Sequence, residues 1–238
     1  MNAKIRLFVE QPLGAAQPVP LTREQAHYLF GVMRLETGAR VALFNGRDGE
    51  WQAEVAEAGK RRGILICLEQ SQPQSEPPDL WLLFAPIKKA RTDFIVEKAV
   101  ELGVRRILPV QTAHTNSDRI RRDRLQAHAI EAAEQCGATF VPEVAELDRL
   151  DKVLDGWRSR NLAFCDETLA GASHGFATKP EPWAILIGPE GGFSESERTR
   201  LRAADYTTPI SLGPRILRAD TAAVAAITLW QSSLGDWK

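Results

Sequence analysis

Trp183-Ala-Ile-Leu-Ile-Gly-Pro-Glu-Gly-Gly192 holds a strand, a turn and the approach to a helix in one short run. Its first five residues are all apolar, the mark of a strand buried on both faces, as strands of parallel sheets are. The glycines then turn the chain, and Ser194 with Glu197 forms a capping box, so a helix begins directly behind them. This order puts the turn at the carboxyl end of a sheet strand, where open α/β sheets gather ligands. Glycines at such a place let backbone N–H groups approach a ligand; a tight connection with no ligand is the other reading of the same residues.

Strand-length apolar runs recur on both sides, at Leu80–Ala85, Ile107–Val110, Leu162–Cys165 and Pro209–Leu212. Between them the pattern predicts a helix over Thr92–Leu102 closed by Gly103, and another from Asn116 or Ser117 to Cys136 closed by Gly137. Strands alternating with helices give the α/β class, with a parallel sheet covered on both faces. A second turn, Ile210-Ser-Leu-Gly-Pro-Arg-Ile-Leu-Arg-Ala-Asp-Thr221, leads into the nearly all-apolar helix Ala222–Leu234. Such a helix is buried on most sides, in the core or against another subunit. Arg215 and Arg218 beside the Gly-Pro turn suit an anionic or nucleobase partner, while Asp220 reads either as a helix cap or as a catalytic carboxylate. The two turns follow consecutive strands and are placed to wall one pocket. The first strand of this half ends in Ala85-Pro-Ile-Lys-Lys89, so the glycine fingerprint of a Rossmann enzyme is absent there, as is a phosphate-binding P-loop.

Upstream, Ser71-Gln-Pro-Gln-Ser-Glu-Pro-Pro78 has the composition of an extended linker. Before it, strand-like runs at 40–44, 51–55 and 63–68 are separated by Asn45-Gly46 and Asp48-Gly49, and a helix capped by Thr22 is expected to reach Arg34. Together these read as a small β-barrel module. The 238 residues carry 30 basic and 31 acidic side chains, so any nucleic-acid surface has to be a local patch. Candidate patches are Lys60-Arg61-Arg62, Lys88-Lys89 with Arg91, Arg105-Arg106, and Arg119, Arg121, Arg122 and Arg124; taken singly, each is more often a solvated helix face or loop. His27 and His128 read as packing or surface residues, and His114, following a strand, as a possible RNA contact. Cys67, Cys136 and Cys165 are odd in number, widely spaced and set in apolar stretches, as reduced thiols in a core are. No signal peptide, membrane span or metal-ligand spacing stands out, which points to a cytoplasmic protein.

At Leu186-Ile-Gly-Pro-Glu-Gly-Gly192, Leu212-Gly-Pro-Arg-Ile-Leu-Arg218 and Thr221-Ala222 the chain resembles the ribosomal RNA small subunit methyltransferase E family, which belongs to the knotted SPOUT methyltransferases. Glu97-Lys-Ala-Val-Glu-Leu-Gly103, Glu131-Ala-Ala-Glu-Gln-Cys-Gly137 and the N-terminal module extend the likeness over nearly the whole chain. The resemblance implies a PUA-like β-barrel RNA-binding domain at 1–72 and a trefoil-knotted SPOUT domain at 77–238. It implies S-adenosylmethionine as methyl donor, N3 of a uridine near the 3′ end of 16S ribosomal RNA (in the small subunit) as acceptor, and a homodimer without metal or membrane attachment. Carried over by residue, the donor pocket comprises Glu167, Leu186, Gly188, Glu190, Gly191, Gly192, Leu212, Ile216, Leu217 and Arg218, and the chemistry falls to Asp220, Arg218, Glu190 and Arg215. Two positions depart from the family: Asp220 replaces a glutamate, and Ala138 follows Gly137 where the family has arginine. Two rival readings are a SPOUT methyltransferase acting on another RNA atom (a ribose 2′-oxygen or a tRNA base), and a catalytically silent RNA-binding or ribosome-assembly factor.

Overall fold

The computed structural model describes residues 5–117, 119–158, 160–170, 176 and 182–237. In chain order the elements are β1 (Arg6–Phe8), β2 (Pro18–Pro20), α1 (Arg23–Ala26), β3 (Arg40–Phe44), β4 (Glu50–Gly59) and β5 (Arg62–Gln72). There follow β6 (Leu80–Phe84), α2 (Lys89–Glu101), β7 (Arg106–Gln111), α3 (Arg122–Cys136), β8 (Glu143–Val144), β9 (Asp148–Arg149) and α4 (Leu150–Asp155). The last are β10 (Asn161–Cys165), β11 (Trp183–Ile187), α5 (Glu195–Ala203), β12 (Thr207–Ile210) and α6 (Ala219–Ser233). They fall into two compact units, Met1–Glu76 with Ala133–Val141, and Pro77–Ala132 with Pro142–Lys238.

The first unit is a five-stranded sheet of order β1-β3-β4-β5-β2, antiparallel except for the β1–β3 pair. The loop joining β3 to β4 uses Gly46 and Gly49 at φ of 77° and 75°, left-handed values that glycine adopts without strain. Val41, Leu43, Val55 and Leu65 pack with Val19, Ala26 and Leu29 into one core. Thr22 caps the helix as expected, accepting from the Gln25 N–H in a full capping box. The helix then widens: His27–Val32 is π-helical, and the Met33 N–H reaches the Tyr28 carbonyl at 2.9 Å. Strand β5 continues to Gln72, taking Ser71 and Gln72 out of the expected linker. Arg6 ties the sheet to the 133–138 segment. Its guanidinium donates to Glu50 Oε2 at 2.6 Å and to the carbonyls of Ala133, Glu134 and Ala138.

The second unit is built on a seven-stranded sheet of order β12-β10-β11-β6-β7-β8, with β9 also pairing to β7 and every pair parallel. The chain runs outward from β6 through β7 to β8, crosses to lay down β10 beyond an open slot, and fills that slot with β11 before β12 takes the far edge. Its direction therefore reverses beside β6, the switch point at which such sheets bind ligands. Several boundaries differ from the sequence reading. Helix α3 starts at Arg122 because residues 112–115 form a separate turn: the Thr112 N–H donates to Thr115 Oγ1 at 2.9 Å, and the Thr115 N–H to the Thr112 carbonyl at 3.2 Å. Strand β12 lies at Thr207–Ile210, leaving Ser211 and Leu212 to the loop. Cys136 is exposed at the end of α3, unlike the buried Cys67 and Cys165. Helix α6 begins at Ala219, earlier than expected, and packs Ala222, Ala223, Ala226, Ile227 and Trp230 inward, against α2 and β11. Buried Gln231 donates to the Leu102 carbonyl at 2.7 Å, joining α6 to the end of α2.

Removing Arg6 would take the cationic partner from the nearly fully buried Glu50 carboxylate, leaving it the Ser71 hydroxyl alone among the described side chains, and would remove the guanidinium donor from three carbonyls. Arg6→Ala is expected to destabilise the first unit by about 3–5 kcal/mol. A lower denaturant midpoint for the transition of that unit checks this; an unchanged midpoint contradicts it.

Candidate functional site

A cavity of about 420 Å³ opens at the carboxyl ends of the strands on the β12 side of the sheet. Its walls are the segments that leave β10 (Cys165, Asp166, Glu167), β11 (Ile187 to Glu190, with Gly192) and β12 (Ile210 to Leu217), together with Lys88 and Arg91 at the start of α2 and Ala219 and Ala222 of α6. The size lies in the range of small-molecule sites, and apolar side chains share the lining with seven charged residues, Lys88, Arg91, Asp166, Glu167, Glu190, Arg215 and Arg218. Ile210, Leu212, Leu217 and Ala222 offer surface for a flat or apolar moiety; Glu167, Glu190 and the arginines offer charge. Cys165 belongs to the apolar part: burial pushes its thiol up to about 12, so it holds its proton at neutral pH. Ile216 is 76% exposed at the rim.

The glycines of the β11–α5 loop admit the protein's own side chains. A Cβ at Gly188 would lie 2.7 Å from the Phe193 ring, and one at Gly191 would press on His114 Cβ at 3.3 Å. At Gly192, with φ of 66°, a Cβ would overlap Glu167 Oε1. At each of the three a Cβ would thus meet the protein's own atoms, as in the tight-connection reading, while Gly188 and Gly192 also line the cavity. His114 is part of this packing: its Nδ1 lies 3.1 Å from the Gly191 carbonyl and 3.2 Å from that of Gly192. Ser194 caps α5 as expected, with Glu197 completing the box. Glu197 Oε1 also accepts from the Ala113 N–H at 2.8 Å, so the loop after β7 helps to hold the start of α5.

Ion pairs fix the rest. The fully buried Asp166 carboxylate receives Arg202 Nη2 at 2.5 Å and lies 3.7 Å from Arg198 Nε, while Arg198 Nη2 pairs with Glu167. Two arginines of α5 therefore bind the carboxyl end of β10. Burial would raise the Asp166 pKa, but hydrogen bonds from Thr168 and Arg202 outweigh it and hold the carboxyl below its ordinary value. On the opposite wall, Arg91 of α2 donates to Glu190 Oε1 at 2.9 Å, and its Nε lies 3.6 Å from Asp220 Oδ2.

The structure thus collects Glu167, Gly188, Glu190, Gly192, Leu212, Arg215, Ile216, Leu217 and Arg218 around one cavity. Leu186 lies in the packed core of β11, and Gly191 sits against His114; neither lines the cavity. Asp220 lies behind Arg91. It does not cap α6, because Arg218 is the N-cap residue and Asp220 falls in the first turn, where it accepts from the Thr221 N–H at 2.9 Å. Sequence reading missed Lys88, Arg91, Cys165, Asp166 and Ala222 as wall residues. Lys88 and Arg91 carried a signal, their cluster of charge just after a strand end; Asp166 carried none. Among the described residues no group of three or more His, Cys, Asp or Glu side chains could hold a metal ion, and no helix is long and apolar enough to cross a membrane.

Comparison with known proteins places this geometry. The RNA methyltransferase domain family matches residues 74–231, and the RNA methyltransferase PUA domain family matches residues 21–66. The chain is 29% identical to ribosomal RNA small subunit methyltransferase E of Rickettsia conorii, over 93% of both chains. It is 31% identical to the protein of that name from Synechocystis, over 88% of this chain and 71% of that one. Among solved structures, ribosomal RNA small subunit methyltransferase E of Neisseria gonorrhoeae bound to S-adenosylmethionine superposes with a TM-score of 0.87 at 27% identity, covering 98% of this chain and 99% of that one. A methyltransferase of Legionella pneumophila, also in complex with S-adenosylmethionine, gives 0.87 at 28% identity, covering 99% and 100%.

The Asp166 network carries a pH signature. Because its folded pKa is lowered, its contribution is complete above the unfolded value of about 3.9 and is lost as pH falls through the folded one. Asp166→Asn is expected to cost roughly 2–3 kcal/mol at pH 7, the scale of hydrogen bonds to a charged group. The difference from wild type in denaturant midpoint should shrink below about pH 4. A difference that ignores pH would contradict the assignment.

Proposed function

The chain belongs to the ribosomal RNA small subunit methyltransferase E family of RNA methyltransferases, and from that premise we propose that it methylates N3 of a uridine near the 3′ end of 16S ribosomal RNA. S-adenosylmethionine is the methyl donor in this reading, and the cavity at the ends of β10, β11 and β12 holds it. The observation that carries the proposal is this cavity, with an apolar floor and paired carboxylates and arginines at its rim, in a chain that aligns end to end with donor-bound relatives. Glu167, Glu190, Leu212, Ile216, Leu217 and Arg218 contact the donor, Gly188 and Gly192 line the cavity beside it, and Leu186 and Gly191 shape the wall from behind. The proposal extends to the PUA-like module as an RNA-binding domain, to a trefoil knot in the crossings that lead to β12 and α6, to a homodimer, and to a cytoplasmic place of work.

The donor supplies an electrophilic methyl carbon on a sulfonium; the chain's own residues do the rest. They align the acceptor nitrogen with that carbon and exclude water from the approach. Uracil N3 must lose a proton as the N–C bond forms and the C–S bond breaks, and the developing anion needs nearby positive charge. Arg215 and Arg218 line the cavity and supply it. Glu190 also lines the cavity and takes the proton. Asp220 stands outside the wall and orients Arg91, which in turn holds Glu190. N3 lies on the Watson–Crick edge, so the base enters unpaired or flipped.

Mass spectrometry of nucleosides from small-subunit rRNA, with and without the protein, tests the reaction: 3-methyluridine should appear near the 3′ end only with it, and its absence would overturn the proposal. Glu190→Gln should lower turnover by roughly 10²–10⁴-fold and recover in part as pH rises, because solvent then supplies the uracil anion. Asp220→Asn should cost less than about tenfold, an orienting rather than proton-transferring role. The reverse order of effects would transfer the proton to Asp220.

A further inference from the structure

The β6–α2 connection walls two cavities. Lys88 and Arg91 face the one already described, whereas Pro86, Ile87, Lys89 and Thr92 line a second, of about 330 Å³. The loop between them is held by Thr92, whose Oγ1 accepts from the Ile87 N–H at 3.0 Å and donates to the Ile87 carbonyl at 3.1 Å. The far wall of the second cavity is the stretch that enters α3, bringing Arg119, Arg121 and Arg124 opposite Lys89. Two basic clusters that are separate in the sequence meet here around one concavity.

Its charge is one-sided. Among the described residues four cations line it against one carboxylate, Asp93, and that carboxylate is buried and already paired with Arg124. Among the described residues Arg121 pairs only with exposed Asp123 at 3.1 Å, a pair worth little and easily exchanged. Lys89 and Arg119 have no acidic partner among the described residues. Like charges gathered in a concave site repel one another and focus a positive field, an arrangement that an entering anion relieves. Guanidinium forks suit phosphate oxygens.

We propose that this second cavity binds a backbone phosphate of the RNA strand whose target base occupies the first. The inference rests on the reading of the first cavity as the methyl-transfer site, since the shared loop makes the two consecutive stations along one strand. Phosphate contacts of this kind set the register of a strand and leave the choice of base to the neighbouring site.

Lys89→Gln combined with Arg119→Gln tests it, neither side chain having an ion-pair partner among the described residues, with Lys152→Gln combined with Arg158→Gln as a control that removes equal charge from exposed residues outside the cavity. Filter binding of a 3′-terminal small-subunit rRNA fragment and steady-state methylation are measured across a salt series, and donor affinity by calorimetry. The cavity variant should weaken RNA binding and raise the KM for RNA by roughly tenfold, and flatten the log–log salt slope by about 0.7–0.9, one phosphate contact's worth. Donor affinity and turnover at saturating RNA should remain those of wild type, and the control should resemble wild type throughout. RNA affinity and salt slope equal to those of wild type, or a control that loses as much, would overturn the inference. If wild type methylated no rRNA, the reading of the first cavity would fall, while the binding series would still support or refute the second.

Discussion

A carboxylate with no exposed surface must find its partners inside the protein, and Asp166 finds them on α5. Arg202 and Arg198 reach back from that helix to the end of β10, and Thr168 completes the set from the turn that follows. Because α5 begins at Ser194, immediately behind the glycine loop, fixing the helix fixes the loop, and with it one wall of the cavity. Glu167 is caught in the same arrangement between Arg198 and the bare face of Gly192. The parallel strands supply a place for a site; this buried charge supplies its shape.

The opposite wall depends on a weaker tie. Arg91 is half-buried and bridges Glu190 and Asp220 across two loops, with one close contact and one long one. A partly exposed pair of this type contributes less to stability than the Asp166 network, and it yields more readily to a ligand. The cavity therefore has a rigid side on β10 and α5 and an adaptable side on α2 and α6. Exposed Ile216 also lies on the β12–α6 loop.

How much of this was legible in the sequence follows from which forces act locally. The five strands named from apolar runs all formed, and the capping boxes at Thr22 and Ser194 were readable because a cap involves residues three apart. The cavity wall from Gly188 to Glu190 and from Leu212 to Arg218 was legible because glycine and proline turns mark strand ends. Long-range pairing escaped. Nothing in the sequence near Asp166 indicates that residues 198 and 202 will neutralise it, nor that His114 will pack on Gly191. The π-helical His27–Val32 was also out of reach, since it shares its apolar spacing with an ordinary helix. Asp220 looked like a cap because it precedes an apolar run, but the backbone turns helical one residue earlier, after Arg218.

The same distinction explains why a chain of net charge −1 hides a basic surface. The carboxylates near the proposed site point inward or are already held: Asp93 by Arg124, Asp166 by Arg202, Glu167 by Arg198, Glu190 by Arg91. Each of those pairs cancels in the total and presents little field to solvent. Lys89 and Arg119, which no described carboxylate neutralises, then dominate the potential of their cavity although the composition is balanced. A sum over residues weighs every charge alike, whereas an approaching polyanion meets only those left unpaired at a concave surface. Local neutralisation, rather than an excess of lysine and arginine, thus leaves a positive cavity in a chain of balanced composition.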